Sequence, residues 1–101
     1  MREFLRGAVR LHILHHAAQG EIHGAWMAGE LAHHGYRISP GSLYPTLHKM
    51  QAEGLIKSRA CVVNGRSRRL YAATAKGRRE LAATSAQLRE LAREVLGEVT
   101  P

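Results

Sequence analysis

The chain has a single cysteine, Cys61, among its 101 residues. One cysteine cannot form an internal disulfide, so a reducing compartment is the simplest setting for the protein. No apolar run approaches the length that spans a membrane, and the N-terminus lacks the charged-then-apolar pattern of a signal peptide. The sequence therefore predicts a cytoplasmic protein with no membrane partner.

Patterns typical of enzymes are also missing. No nucleophile is paired with a base and an orienting group, and no glycine-rich loop follows a strand to hold phosphate. A chain of 101 residues forms one modest core and leaves no room for a separate catalytic domain. We expect neither an enzyme nor a cofactor.

Acidic residues are nearly absent from the middle of the chain. The sequence has 15 Lys plus Arg against 8 Asp plus Glu, a formal net charge of +7. Residues 36–79 contain ten of those basic residues and only one acid, Glu53, which leaves five basic and seven acidic residues elsewhere. Such a concentrated surplus predicts that the middle of the chain faces a polyanion.

Residues 38–56 read as a short helix with turn and cap residues at its start and Glu53-Gly54 at its end. On a helical period the apolar side chains share one side, namely Leu43, Leu47 and Met50. The other side is small, polar and basic, with Ser42, Pro45, His48 and Lys49. That profile is typical of a recognition helix, which must approach the DNA major groove closely and donate to phosphates and base edges.

The start of this helix has two interpretations. Ser42 as N-cap is favoured, because Pro45 then falls in the first turn, where its missing N–H would have no partner. The alternative makes Ser39 the cap and Pro40 the first helical residue, and it leaves Pro45 inside the helix.

Two helices precede it, over residues 3–18 and 24–33, which gives the order of a helix-turn-helix domain. After it come two strand-like segments around Asn64-Gly65, the strongest short-range signal for a β-hairpin. Three arginines leave that turn at once, namely Arg66, Arg68 and Arg69. A hairpin with an arginine-rich tip beside a recognition helix is a wing, placed to reach phosphates or a minor groove.

Thr74 is the predicted N-cap of a last helix that runs to about Gly97. Its apolar residues form a short seam of Leu81, Leu88, Leu91 and Val95. The first helix is apolar around most of its circumference, so Leu5 and Val9 are expected to join this seam in a dimer interface. The alternative is that the seam packs back on its own core.

The predicted fold is therefore mainly α with a small β-hairpin. Residues 1–74 form a winged helix-turn-helix DNA-binding domain, and residues 75–101 form a C-terminal dimerisation helix in the same compact unit.

These residues resemble the PadR family of bacterial transcriptional regulators. The resemblance is carried by residues 38–50, then Glu-Gly-Leu-Ile at 53–56, Arg-Arg-Leu-Tyr at 68–71 and Thr-Ala-Lys-Gly at 74–77. It implies a homodimer that binds a palindromic operator in double-stranded DNA, usually as a repressor. Ser42, Tyr44 and His48 match the family's recognition-helix positions. The predicted DNA-binding residues are Ser39, Ser42, Tyr44, Pro45, His48, Lys49, Arg66, Arg68 and Arg69.

The chain departs from the family in two places. Where the family usually has Gly-Tyr-Glu, this sequence has Gly24-Ala25-Trp26. Some short members bind flat aromatic compounds between subunits through aromatic residues of the last helix, and this last helix has none. That absence argues against a flat aromatic ligand here. A small-molecule effector is kept as an alternative, and Trp26 could be either an effector-stacking or an interface residue.

The same basic fold could also coat DNA without an operator, or bind another protein as an adaptor. A metal-responsive regulator is a further hypothesis, because His12 and His16 have the i, i+4 spacing that can chelate a metal. Two imidazoles do not make a site, and no metal is predicted. Tyr44 could contact phosphate or brace its helix. Cys61 is interpreted as a small apolar filler, with a redox role as the alternative.

Overall fold

The computed structural model describes residues 2–97, which form four helices and a three-stranded antiparallel sheet. The helices are α1 (Arg2–Gln19), α2 (Gly24–His33), α3 (Pro40–Ala52) and α4 (Ala75–Leu96). The strands are β1 (Ile22–His23), β2 (Ile56–Val63) and β3 (Arg66–Ala73), in the spatial order β1-β3-β2. The predicted fold is confirmed, and none of these helices is both long and apolar enough to cross a membrane.

Strand β1 was not predicted from the sequence. It pairs with β3 through only two positions, Ile22 with Tyr71 and His23 with Leu70. Two residues are too few to show the alternation of apolar and polar side chains that marks a strand. Its pairing extends the hairpin into a sheet that packs beside the helices.

The start of α3 corrects the favoured prediction. Ser39 is the N-cap and Pro40 the first helical residue, so Ser42 lies inside the first turn and Pro45 is interior. The amides of Ser42 and Leu43 both donate to the Ser39 carbonyl, at 2.9 and 2.8 Å. The fixed φ of Pro40 suits the first helical position, and this preference decides the start. Near Pro45, the Thr46 hydroxyl donates to the Ser42 carbonyl at 2.9 Å.

The hairpin follows the prediction closely. Asn64 and Gly65 have φ values of 52° and 75°, the positive angles that a tight two-residue turn requires. The eight residues of β2 pair in register with the eight of β3, from Ile56–Ala73 to Val63–Arg66. The base of the hairpin is buried at Ile56 and Tyr71, whereas its tip is exposed. The tip therefore projects from the body of the protein.

The core lies between α1, α2, α3 and the base of the hairpin. The inward side of α3 is as predicted, because Leu43, Leu47 and Met50 are fully buried. They pack in one cluster with residues of the other elements, which include Ile13, Leu14, Met27, Leu31, Leu55, Ile56 and Tyr71. This packing leaves the opposite side of α3 for other contacts.

The first turn of α4 docks on the segment that joins α3 to the hairpin. Thr74 is the N-cap, as predicted, because its Oγ1 accepts a hydrogen bond from the Gly77 amide at 3.0 Å. The same hydroxyl donates to the Gly54 carbonyl at 2.5 Å, and the Thr74 amide donates to the Leu55 carbonyl at 3.1 Å. Lys76 Nζ donates to the Glu53 carbonyl at 2.7 Å. The segments 53–56 and 74–77 are thus held together by hydrogen bonds.

Gly77 is the contact point of this docking. A Cβ atom at residue 77 would overlap the Leu55 carbonyl oxygen, which is backbone and cannot rotate away. We expect Gly77→Ala to lower the free energy of unfolding by about 1–3 kcal/mol, because overpacking forces the backbone to shift. Urea unfolding monitored by circular dichroism measures this change.

Gly29, in α2, is the matched control, because nothing lies within 4 Å of its hypothetical Cβ. Gly29→Ala should leave the stability unchanged or raise it by about 0.5–1 kcal/mol through helix propensity. Equal stability of Gly77→Ala and the wild type would show that this close approach is not structural.

Candidate nucleic-acid interface

The exposed side of α3 carries residues that were predicted to bind DNA. The exposed side chains are those of Ser42, Tyr44, Pro45, His48 and Lys49. The Ser39 Oγ lies 3.4 Å from the Ser42 Oγ at the helix start. No acidic residue interrupts this side within Pro40–Ala52. The helix therefore presents small, hydroxyl and basic groups away from the core.

The three wing arginines do not share one face of the hairpin. Side chains alternate along a strand, so Arg69 lies on the same face as Tyr71, whereas Arg66 and Arg68 lie on the other. Arg69 Nη1 donates to Ser58 Oγ at 3.2 Å. These arginines were predicted as one group, and strand pairing divides them.

A short hydrogen-bond chain ties the wing to the recognition helix. Ser58 Oγ of β2 donates to Gln51 Oε1 of α3 at 2.9 Å and accepts from Arg69. The wing face that bears Arg69 is thereby fixed beside the last turn of α3. The two predicted DNA-binding elements, α3 and the wing, therefore lie next to each other.

One basic residue of the hairpin is already paired. Arg59 holds Glu21 through two hydrogen bonds, from Nε at 2.6 Å and Nη2 at 2.8 Å. This contact lowers the pKa of the Glu21 carboxyl, chiefly through the hydrogen bond from Arg59. Arg59 therefore belongs to the sheet's own structure and adds little to the free positive charge of the wing.

Tyr44 contacts the start of α2. Two of its ring carbons lie 2.9 and 3.2 Å, and its hydroxyl oxygen 3.1 Å, from the position where a Cβ atom of residue 24 would be, so glycine at residue 24 lets the tyrosine pack closely. Burial, and then the nearby Tyr44, raises the pKa of Tyr71. Tyr44 is still 39% exposed. Tyr44 therefore packs α3 against α2 and keeps an accessible surface. Its predicted contact with DNA phosphate stays a prediction.

A basic cleft on the other side of α3 was not predicted from the sequence. It has a volume of about 800 Å³ and lies between α1, the loop before α3, and α3 itself. Its basic lining residues are Arg2, Arg6, Arg10, Arg37 and Lys49. The i, i+4, i+8 spacing of the three α1 arginines was the signal in the sequence. The net charge outside residues 36–79 does not reveal these arginines, because seven acidic residues there outnumber the five basic ones.

The apolar seam divides between core and surface. Val9 is only 7% exposed and belongs to the core, and Leu81 packs against that core. The other four predicted interface residues are exposed, namely Leu5, Leu88, Leu91 and Val95. Phe4 and Leu96 are exposed as well, and a groove of about 650 Å³ runs between α1 and α4. The role of this seam in a dimer stays a prediction.

Five histidines gather where α1 meets the end of α2, and one of them, His33, packs edge-on against His34 with ring centroids 5.5 Å apart. The His12 ring centroid lies 6.5 Å from that of His16 and 5.2 Å from that of His34, and His15 lies 4.8 Å from His16. Glu30 faces them, with its Oε1 at 3.0 Å from His34 Nε2 and 3.7 Å from His16 Nε2.

Aromatic side chains close this cluster. Trp26, where the sequence departs from the family, packs edge-on against His16 with centroids 5.2 Å apart, and Tyr36 packs edge-on against His12 at 5.1 Å. Within residues 2–97, no three His, Cys, Asp or Glu side chains are arranged to hold a metal ion. Cys61 is a half-buried free thiol in β2.

Burial lowers the pKa of His12 and His16 below the ordinary value of 6.5, and the neighbouring imidazoles lower it further, while Glu30 opposes the shift. As the pH falls below about 6.5, the unfolded chain then binds protons before the folded chain does. Their contribution to stability is therefore complete above that pH and is lost as the pH falls toward the lowered values. We expect the free energy of unfolding to decrease between about pH 7.5 and pH 5.5, and less so in H12Q/H16Q.

Urea unfolding at both pH values measures this difference. His48→Gln is the control, because His48 lies on the outward side of α3, outside the cluster, and should keep the wild-type pH dependence. The same pH dependence in H12Q/H16Q and the wild type would contradict the assignment.

This architecture is that of a winged helix-turn-helix protein, a DNA-binding fold. It consists of α1, α2 and α3, followed by the β2–β3 hairpin with the short strand β1 paired to it. Residues 13–83 match the model of the transcriptional regulator PadR-like family. The chain is 63% identical over 97 residues to the transcriptional regulator Rv3488 of Mycobacterium tuberculosis, covering 96% of this chain and 91% of that protein. The chain belongs to the PadR-like family of transcriptional regulators, and it is not an enzyme.

Solved structures agree with this fold. A PadR family transcriptional regulator from Eggerthella lenta superposes with a TM-score of 0.81 at 28% identity, covering 92% of this chain and 82% of that one. Bacillus subtilis PadR in complex with operator DNA superposes with a TM-score of 0.67 at 20% identity. That match covers 93% of this chain and 49% of PadR, so the present chain spans about half of it.

Proposed function

We propose that the protein is a homodimeric repressor that binds a palindromic operator in double-stranded DNA in the cytoplasm. The two copies of α3 enter successive major grooves, and the wings contact the flanking phosphates. The observation that carries this proposal is the exposed, acid-free side of α3, joined to the arginine-bearing wing through Gln51 and Ser58.

The side chains of α3 divide by their chemistry. His48 and Lys49 stand on the outward side and can donate to base edges, which is how sequence is read in the major groove. Ser39 and Ser42 lie at the helix start, where hydroxyls reach phosphate oxygens. The wing arginines add charge but no sequence information. Specificity therefore belongs to α3 and most of the affinity to the wing.

The proposed dimer is supported by the apolar surface that α1 and α4 leave uncovered. Leu88, Leu91 and Val95 are 45%, 49% and 69% exposed, although they recur on one side of α4 as a coiled-coil seam does. A second copy would cover them together with Phe4, which lines the same groove. The predicted interface residue Leu5 instead lines the basic cleft beside Arg2 and Arg6. The groove between α1 and α4 is also where a small-molecule effector would bind, if the regulator has one.

An architectural protein that coats DNA without an operator is the alternative, because it would need the same fold and the same charge. Specific binders usually exceed their own nonspecific affinity by about 10³-fold or more. Specificity therefore separates the two functions.

Selection of bound sequences from a random DNA pool tests the proposal. We expect the wild type to select one inverted repeat, with half-site centres about 34 Å apart or a multiple of that distance. L88E/L91E should sediment as a monomer and lose the fixed half-site spacing, because buried like charges oppose association.

A82E/A86E is the control for this experiment, because it adds the same charges on a side of α4 that does not line the groove. It should remain a dimer and select the same repeat. Recovery of unrelated sequences by the wild type would indicate the architectural alternative, and a monomeric wild type would contradict the dimer.

The wing is tested by salt dependence. Each neutralised phosphate contributes a slope of about −0.9 in log K against log [salt]. R68A/R69A should weaken binding to operator and random DNA alike and flatten this slope by about 0.9 for each lost contact. Fluorescence anisotropy titrations between about 50 and 200 mM salt, the range where such contacts dominate, measure both effects.

Three further variants complete this test. R89A/R93A removes the same charge from α4 and should keep the wild-type slope, since both arginines lie outside the proposed interface. The single variants R68A and R69A show which face of the wing approaches DNA. An unchanged slope in R68A/R69A would exclude the wing from the interface.

A further inference from the structure

We propose that the basic cleft between α1 and α3 binds the DNA phosphate backbone on the side of the recognition helix opposite the wing. The inference rests on the proposed function, because it names a second element for the same DNA. The helix α1 belongs to the core and to the proposed dimer interface, and this inference adds a contact with DNA.

Three arginines of α1 point to the cleft together. Arg2, Arg6 and Arg10 recur every fourth residue and so lie above one another on one face of the helix. All three line the cleft, and Arg37 and Lys49 line it from the loop before α3 and from α3. Three elements distant in sequence therefore direct their positive charge into one space.

The charge of the cleft is largely uncompensated. Among the described residues that line it, none is acidic. Arg10 Nη2 donates to Glu53 Oε1 at 2.6 Å, and this hydrogen bond lowers the pKa of Glu53. Within residues 2–97, the other four basic side chains have no acidic partner within 4.0 Å, namely Arg2, Arg6, Arg37 and Lys49. Cations gathered in one cleft repel each other, and a polyanion relieves that repulsion.

The cleft and the wing lie on opposite flanks of α3. Consecutive helical residues are about 100° apart around the axis, so Lys49 and Gln51 lie about 160° apart. Gln51 joins the wing, whereas Lys49, with Ser42 and Thr46, lines the cleft. The exposed side of α3 is thus bordered by the wing on one flank and by the cleft on the other.

The shape of DNA matches this arrangement. A helix in the major groove lies between two phosphate backbones, about 12 Å apart across the groove. The wing can follow only one of them. The cleft has hydroxyl and basic donors where the other backbone passes, namely Ser42 on α3, Arg37 in the loop before it, and Arg2 and Arg6 on α1. Phosphodiester is therefore the ligand that this cleft fits.

The test compares salt slopes for R2A/R6A, R68A/R69A and the wild type on a selected DNA sequence and on random DNA. Arg10 is left intact because it also pairs with Glu53. We expect R2A/R6A to weaken binding to both DNAs and to flatten the slope by about 0.9 for each lost contact. R2K/R6K should keep the wild-type slope because it preserves both positive charges, and R89A/R93A is the charge-matched control.

A second arm locates the contact. Methylphosphonate substitutions, which neutralise one phosphate at a time, are placed along each strand of the bound sequence. The phosphates that α1 contacts should weaken wild-type binding when neutralised and leave R2A/R6A binding unchanged. They should lie across the major groove from those whose effect disappears in R68A/R69A.

The outcomes separate this inference from the proposed function. If the wild type binds no DNA, the proposed function fails. If R68A/R69A flattens the slope and R2A/R6A behaves like R89A/R93A, only the α1 contact is overturned. Loss of inorganic polyphosphate binding in R2A/R6A with unchanged DNA binding would also overturn it, because the cleft would then hold a free polyanion.

Discussion

The close approach of α4 to the segment before β2 is the constraint on which the rest of this structure depends. The Leu55 carbonyl accepts from the Thr74 amide and lies where any side chain at residue 77 would need to be. The Thr74 hydroxyl and Lys76 bind the carbonyls of Gly54 and Glu53. Because this segment ends α3 and begins the hairpin, one set of contacts fixes the recognition helix, the wing and the last helix together.

The first and last helices meet at this segment. The start of α4 binds the carbonyls of Glu53, Gly54 and Leu55, which directly follow α3. Glu53 also holds Arg10 of α1. The first and last helices therefore both make contacts with the same short segment.

The arginines of the hairpin beside α3 divide into one that forms an ion pair and three that are exposed. The hairpin uses Arg59 to hold Glu21, which stabilises the sheet, and keeps Arg66, Arg68 and Arg69 for its exposed tip. The histidines on the far end of α1 form a separate cluster, where burial lowers the pKa of His12 and His16 and so favours their neutral form. The protein thus separates a permanently charged surface at α3 from a titratable one near the groove between α1 and α4.

The sequence by itself determined the local features. Asn64-Gly65 specified the hairpin turn, Thr74 specified the start of α4, and the spacing of Leu43, Leu47 and Met50 specified the buried side of α3, because each depends on backbone preference or helical period. Only the tertiary structure decided which contacts form between distant elements. It paired the two residues of β1 with β3, placed Val9 in the core and brought the α1 arginines beside Lys49. Those outcomes depend on packing between segments far apart in sequence, which no local pattern encodes.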